Sequence, residues 1–172
     1  GGGRRRPGPR KGADMRYRVE ISFEDAVTGA KREMTMADGR VLNISIPAGI
    51  ETGQSLRLKS QGKASGGSGP PGDAILEIIV RQNKVWTRDG NDIRMTVPVP
   101  LKIAVLGGQV DVETPMGPIA LKIPEGSNSG ATLRLRGKGV QISGKPGHLY
   151  ARLEIVIQDP KDPKLRDWAR GN

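Results

Sequence analysis

The chain has 172 residues, of which 35% are hydrophobic and 3% aromatic, with 25 glycines, 13 prolines, no cysteine and a formal net charge of +10. Any core must therefore be aliphatic, and disulfides and Cys-ligated zinc or iron–sulfur sites are excluded. No apolar run approaches the roughly 20 residues needed to cross a bilayer as a helix, and so many turn formers among short apolar runs favour an all-β chain.

Residues 1–12, GGGRRRPGPRKG, have the composition of a disordered linker. Arg4, Arg5, Arg6, Arg10 and Lys11 supply five charges there, so the net +10 leaves +5 for the remainder. Next, MRYRVEIS alternates, with Met15, Tyr17, Val19 and Ile21 on one face, which predicts a half-buried strand. FEDAVTG predicts one or two helical turns, with Ser22 as N-cap and Gly29 as stop. KREMTM alternates again and ADGR marks a tight turn. LNISIP reads as a strand ended by Pro47, SLRLKS as a short strand, GKASGGSGPPG (62–72) as a mobile loop and DAILEIIV as a strand. RQNKVWTRDGND (81–92) reads as a connector, with Trp86 packing at the junction.

The phrase IPAGIETGQSLRLKSQGK, residues 46–63, returns as IPEGSNSGATLRLRGKGV, residues 123–140, with 8 of 18 positions identical. The same offset of 75–78 residues aligns IRMTVPVP with MRYRVEIS, LKIAVLGG with FEDAVTG, and GKPGHLYARLEIVI with GPPGDAILEIIV. The whole unit is duplicated. The expected architecture is all-β: two tandem, mostly antiparallel sandwich- or barrel-like domains, each with one short helix. The expected bounds are a linker over 1–12, a first domain over 13–81, a connector over 82–91, a second domain over 92–158 and a short helical tail over 159–172.

Catalytic chemistry finds little support. His148 is the only histidine and has no nearby Ser or carboxylate partner in the pattern. The acids Asp159, Asp162 and Asp167 are separated by prolines and lysines and read as surface. No catalytic, metal or cofactor site is expected, and the glycines of 62–72 lead into a strand rather than the helix N-terminus that a phosphate cradle needs. What stands out is an apolar stripe of Tyr17, Val19 and Ile21 with adaptable Met34 and Met36 beside it. If strands 15–22 and 31–36 pair at the domain edge, they form a groove that an extended peptide could join as an added strand.

The ordered set GADMRYRVEISFEDAVTGA, IPAGIETGQSLRLKSQGK, GPPGDAILEIIV, WTRDGNDI, VPLKIAVLGG, IPEGSNSGATLRLRGKGV and GHLYARLEIVI resembles the C-terminal substrate-binding region of DnaJ-type co-chaperones, from about Gly12 to Ile157. Lacking cysteine, with ADGR where many relatives carry a zinc insertion, it resembles the zinc-free class. The resemblance implies that the first domain holds unfolded client polypeptides, aids folding, and receives the acidic C-terminal tail of a DnaK-type chaperone. It implies a groove lined by Tyr17, Val19, Met34 and Met36, with Arg32 on its rim and Leu76 or Ile78 as a wall.

The His-Pro-Asp signature of a J domain is absent, so this chain by itself is expected to bind clients without stimulating ATP hydrolysis. Relatives dimerise through a terminal helix, which DPKLRDWARGN offers only with Leu165 and Trp168, so a homodimer is doubtful for this chain. The overall expectation is a soluble, cytoplasmic, non-enzymatic protein with no membrane partner. The rival reading is a basic, nucleoid-associated DNA binder acting weakly through Arg4, Arg5 and Arg6.

Overall fold

In the computed structural model, which describes residues 2–3 and 9–171, the alternating stretch Met15–Ile21 is strand β1, with Val19 and Ile21 buried. Helix α1, Phe23–Thr28, follows at once because Ser22 caps it, its Oγ accepting the Asp25 N–H at 3.0 Å. The chain leaves α1 through Gly29 at φ 73°, where a Cβ would lie 2.9 Å from the Ala48 nitrogen, so no other residue fits. Strand β2, Ala30–Thr35, then turns into β3, Val41–Ile46, and the two pair antiparallel. β4, Ser55–Leu58, and β5, Ala74–Val80, complete the first unit, which ends at Gln82.

β5 is the middle strand of the sheet β1-β5-β4, parallel to β1 and antiparallel to β4. The inner side of this sheet gives Val19, Ile21, Leu76 and Ile78 to one aliphatic core, and the β2–β3 hairpin closes over it with Leu42, Ile44 and Ile46. The expected pairing of strand 15–22 with strand 31–36 does not occur. β1 pairs with β5 and β2 with β3, so β1 and β2 are outer strands of two different sheets.

The second unit repeats this plan. β6, Thr87–Asp89, and β7, Asp92–Pro100, lead into helix α2, Leu101–Leu106. The hairpin β8, Gly108–Thr114, and β9, Gly117–Ile123, precedes β10, Thr132–Leu135, and β11, Leu149–Val156. The sheet runs β10-β11-β7-β6, with β11 and β7 parallel as β5 and β1 are. A short helix α3, Pro163–Ala169, follows, capped by Asp162. Residues 87–89, read from sequence as connector, are thus a strand of the second sheet. Trp86 belongs to this unit as well, its indole N–H donating to the Glu113 carbonyl at 3.1 Å.

The repeated phrase does more than turn the chain. Gly53 N–H donates to the Ile78 carbonyl at 2.9 Å and Ile78 N–H to the Gln54 carbonyl at 2.8 Å, which prolongs the β4–β5 ladder. Gly130, Leu153 and Ala131 repeat both bonds at 2.9 and 2.8 Å.

The linker and the loop 62–72 are the main correction among the described residues. Gly12 N–H donates to the Pro70 carbonyl, Lys63 N–H to the Ala13 carbonyl and Gly72 N–H to the Lys63 carbonyl, all at 2.9 Å. Three stretches of main chain meet so closely that a Cβ on Gly12 would lie 2.0 Å from the Lys63 oxygen and one on Gly72 2.1 Å from the Ala13 oxygen. These glycines admit backbone rather than supply flexibility. The second unit has the same knot: Val140 N–H bonds the Asn91 carbonyl, Gly139 N–H the Gly147 carbonyl, and a Cβ on Gly147 would lie 1.7 Å from the Asn91 oxygen. Arg10, Gly12 and Asp14 match Arg88, Gly90 and Asp92 in sequence, so the duplicated unit begins inside the segment read as linker. Arg4, Arg5 and Arg6 lie outside the described residues.

Asp73 locks the first knot. Its buried carboxylate accepts from the Ser60 N–H at 3.0 Å, Arg57 at 2.7 Å and Lys11 at 3.1 Å. These donors, the Ser60 amide foremost, hold it well below the ordinary carboxylate range. Its contribution is therefore full above that range and is lost as pH falls toward the depressed value.

The knot predicts a contrast between two glycines. Gly147→Ala lowers stability in urea unfolding by about 2–3 kcal/mol, as overpacking against rigid backbone does. Gly66→Ala, with nothing within 4 Å of the new Cβ, changes it by less than about 0.5 kcal/mol. Equal effects at the two positions contradict the close-approach account.

Candidate functional site

The seven residues expected to form a binding groove all belong to the first unit, and they divide by exposure. Val19, Met36, Leu76 and Ile78 are buried members of the core, at 3%, 7%, 0% and 0% exposure. Tyr17 and Met34 pack against that core while half-exposed. Arg32 is on the surface. Register explains the grouping. Tyr17 lies beside Leu76 and Val19 beside Ile78 across the parallel β1–β5 pair. Met34 faces Leu42 and Arg32 faces Ile44 across the hairpin. The accessible part of the set is thus Tyr17, Met34 and Arg32, and the other four are its floor. Leu76 and Ile78 are walls of the core rather than of an open slot.

Arg32 stands on the apolar face of β2 at a position where a hydrophobic side chain would continue the stripe. Its guanidinium forms a two-point pair with Asp25 of α1, Nε to Oδ2 at 2.9 Å and Nη2 to Oδ1 at 2.7 Å. That leaves the Nη1 donors for a further acceptor. A charged residue on the apolar face of an outer strand also discourages indiscriminate strand pairing.

Tyr17 reaches across from β1 to the β2–β3 turn, its hydroxyl donating to Asp38 Oδ2 at 2.8 Å. Asp38 Oδ1 accepts the Arg40 N–H at 3.0 Å. Partial burial, and then the bond to Asp38, raise the Tyr17 phenol above its ordinary range. The Arg40 amide and then the Tyr17 hydroxyl lower Asp38. Asp25 and Asp38 escape a sequence reading because each meets its partner only through the fold. The one local hint is the turn ADGR, where Asp38 sits.

The outer edges separate the two copies. In the second unit β6 pairs with Asp92–Arg94 and covers the start of the β7 edge. Residues 9–11, which correspond to β6, form no strand, so the β1 edge is uncovered. The position of Tyr17 is Met95 in the second unit, buried at 8% exposure, and that of Met36 is Thr114, at 3%. Among the described residues no group of His, Asp or Glu side chains converges on a metal-sized site, and no helix is long and apolar enough to cross a membrane.

Residues 15–158 match the family described as DnaJ C terminal domain. A "Curved DNA-binding protein" of Coxiella burnetii is 35% identical over 170 residues, which is 91% of this chain and 54% of that protein. A "Chaperone protein DnaJ" of Leptothrix cholodnii is 42% identical over 118 residues, 67% of this chain and 31% of its own length. The protein of the same name in Bordetella bronchiseptica is 40% identical over 123 residues, 70% and 32%. The chain thus spans about half the length of the first relative and a third of the other two.

The Tyr17–Asp38 bond predicts a titration. In a Tyr150→Phe background Tyr17 is the single tyrosine, and its ultraviolet ionisation midpoint lies above the ordinary value of 10.0. Because folding raises this pKa, the bond's contribution holds below the ordinary tyrosine range and is lost as pH rises through the shifted one. Asp38→Asn lowers the midpoint. An unchanged midpoint in Asp38→Asn contradicts the bond.

Proposed function

The chain belongs to the DnaJ C-terminal domain family, and from that premise we propose that it is the client-holding part of a DnaJ-type co-chaperone. Its first unit takes unfolded or extended polypeptide at the outer edge of β2. The observation that carries this reading is the unpaired edge of β2 with half-exposed Met34, and Tyr17 from β1, over an aliphatic floor. Main-chain groups of a peptide can pair with that edge whatever its sequence, while Tyr17 and Met34 take alternate apolar side chains. Such a seat binds many segments weakly, which suits a protein that passes unfolded chains on. The role is non-enzymatic.

Arg32 extends the reading to a second occupant of the same seat. A peptide with acidic residues beside apolar ones, such as the C-terminal tail of a DnaK-type ATPase chaperone, can place a carboxylate on the Nη1 donors that Asp25 leaves. Client and tail then compete for one strand position, which supplies a means of release.

A second reading, DNA binding, is favoured by the net charge of +10 and by the name of the Coxiella burnetii relative. The run Arg4, Arg5 and Arg6 suits it as a sequence-independent phosphate contact.

In fluorescence anisotropy with an unfolded client peptide, Tyr17→Ala and Met34→Ser each weaken binding about fivefold, the loss of about 1 kcal/mol of apolar contact. Arg32→Glu has little effect on a neutral client and removes most binding of an acidic tail peptide. Unaltered client binding in both Tyr17→Ala and Met34→Ser sinks the proposal.

A further inference from the structure

The two copies differ most in charge on the outer faces of their main sheets. In the first unit one cross-strand row runs Arg16–Ile75–Arg57 and the next Arg18–Glu77–Ser55. Two of the three cations there are engaged: Arg57 pairs with Asp73 at 2.7 Å and Asp14 at 3.6 Å, and Arg18 lies 3.9 Å from Glu77, while Arg16 has no acidic side chain in ion-pairing range among the described residues. In the second unit the equivalent rows are Arg94–Tyr150–Arg134 and Thr96–Arg152–Thr132.

Two substitutions have removed two of those three acids. His148 stands where Asp73 does and fills the same structural place, its Nδ1 accepting the Gly137 N–H at 3.0 Å. The bond from the Asp73 N–H to Asp14 Oδ1 at 2.7 Å is repeated by that from the His148 N–H to Asp92 Oδ1 at 2.8 Å. Arg152 stands where Glu77 does. Arg134 and Arg152 are exposed, with no acidic side chain in ion-pairing range among the described residues. Three acids remain on this face: Asp89, 3.1 Å from Arg94, Asp92 directly opposite Asp89, and Glu154, two residues on from Arg152.

We infer that the outer face of the β10-β11-β7-β6 sheet is a seat for the sugar–phosphate backbone of a nucleic acid, built on Arg94, Arg134, Arg152 and the hydroxyl of Tyr150. The inference rests on the DNA-binding reading above and gives it a site apart from the arginine run. Arginine, threonine and tyrosine are the side chains that contact phosphate, and Thr87, Thr96 and Thr132 complete the face. A peptide is the poorer fit. The main chain of β11 is bonded on both sides, so the face offers no edge for strand addition. Base stacking is not its mode either, because the Arg94 guanidinium already lies 5.4 Å from the centroid of the Tyr150 ring. The binding is therefore to backbone charge and indifferent to base sequence.

The test measures anisotropy of a short labelled DNA duplex with the intact chain across a salt series. Arg134→Glu/Arg152→Glu weakens binding by at least about tenfold and lowers the slope of log K against log salt by about two. Arg16→Glu/Arg18→Glu, the same charge change on the first unit, weakens it less than about threefold. Matched thermal unfolding and the milder Arg134→Gln/Arg152→Gln pair separate lost contacts from lost folding. Equal loss in the two Glu pairs, loss only on deleting residues 1–12, or absence of duplex binding each overturns the inference. So does a polyglutamate peptide that binds through Arg134 and Arg152 while the duplex does not. Client-peptide binding is unchanged in the Arg134/Arg152 pair, so this inference and the client reading fail separately.

Discussion

The parallel pairing of β1 with β5 is the constraint on which the first unit depends. It joins the first and last strands of the unit and makes β5 a middle strand with both edges bonded. Apart from β4, which joins the other edge of β5, the chain between them must leave the sheet and return, which α1 and the β2–β3 hairpin do by crossing over the core. The hairpin therefore buries one face and leaves the far edge of each of its strands, β2 among them, unpaired. The candidate seat follows from this topology: β2 offers main chain because β1, its neighbour in sequence, is committed to β5. The second unit repeats the constraint with β7 and β11, and its β6 covers part of the edge that the first unit leaves open.

Much of this was legible in the residues. Alternation located β1, β3, β5 and β7, the Ser22 cap and Gly29 bounded α1, and the repeated phrase revealed the duplication. The phrase also marks where β4 and β10 dock on the middle strands, through Gly53 and Gly130. Pairing was not legible. Met15 meets Ala74 across a long stretch of chain, and nothing local distinguishes that partner from the nearer β2. Glycine was misread for a related reason. The same residue marks a flexible segment and a place where backbones touch, and only the fold distinguishes Gly66, in open space, from Gly12 and Gly72 in the knot.

The candidate residues divide on physical grounds. An apolar side chain on an alternating strand signals burial, and Val19, Met36, Leu76 and Ile78 are core for that reason. Tyr17 and Met34 carry the same signal and are half-exposed, although Val19 lies on the same strand as Tyr17 and is buried, so alternation alone does not separate them. Their polar neighbours, Asp38 and Asp25, come from a turn and a helix that the fold brings alongside. Duplication gives a control within the molecule: where the copies agree, at the glycine knots and parallel strands, the residues serve folding. Where they differ, at Tyr17 against Met95, Met36 against Thr114 and Glu77 against Arg152, one copy has a feature that folding did not require. The apolar seat lies in the first unit and the cationic face in the second.

The central claim is that an extended polypeptide joins β2 as an added strand. Amide hydrogen exchange with and without an unfolded client peptide tests it most directly. The account predicts that amides of β2, Ala30–Thr35, gain protection when the peptide binds, with little change in the second unit. Protection confined to residues 92–156, or peptide binding that leaves every β2 amide exchanging as before, contradicts it.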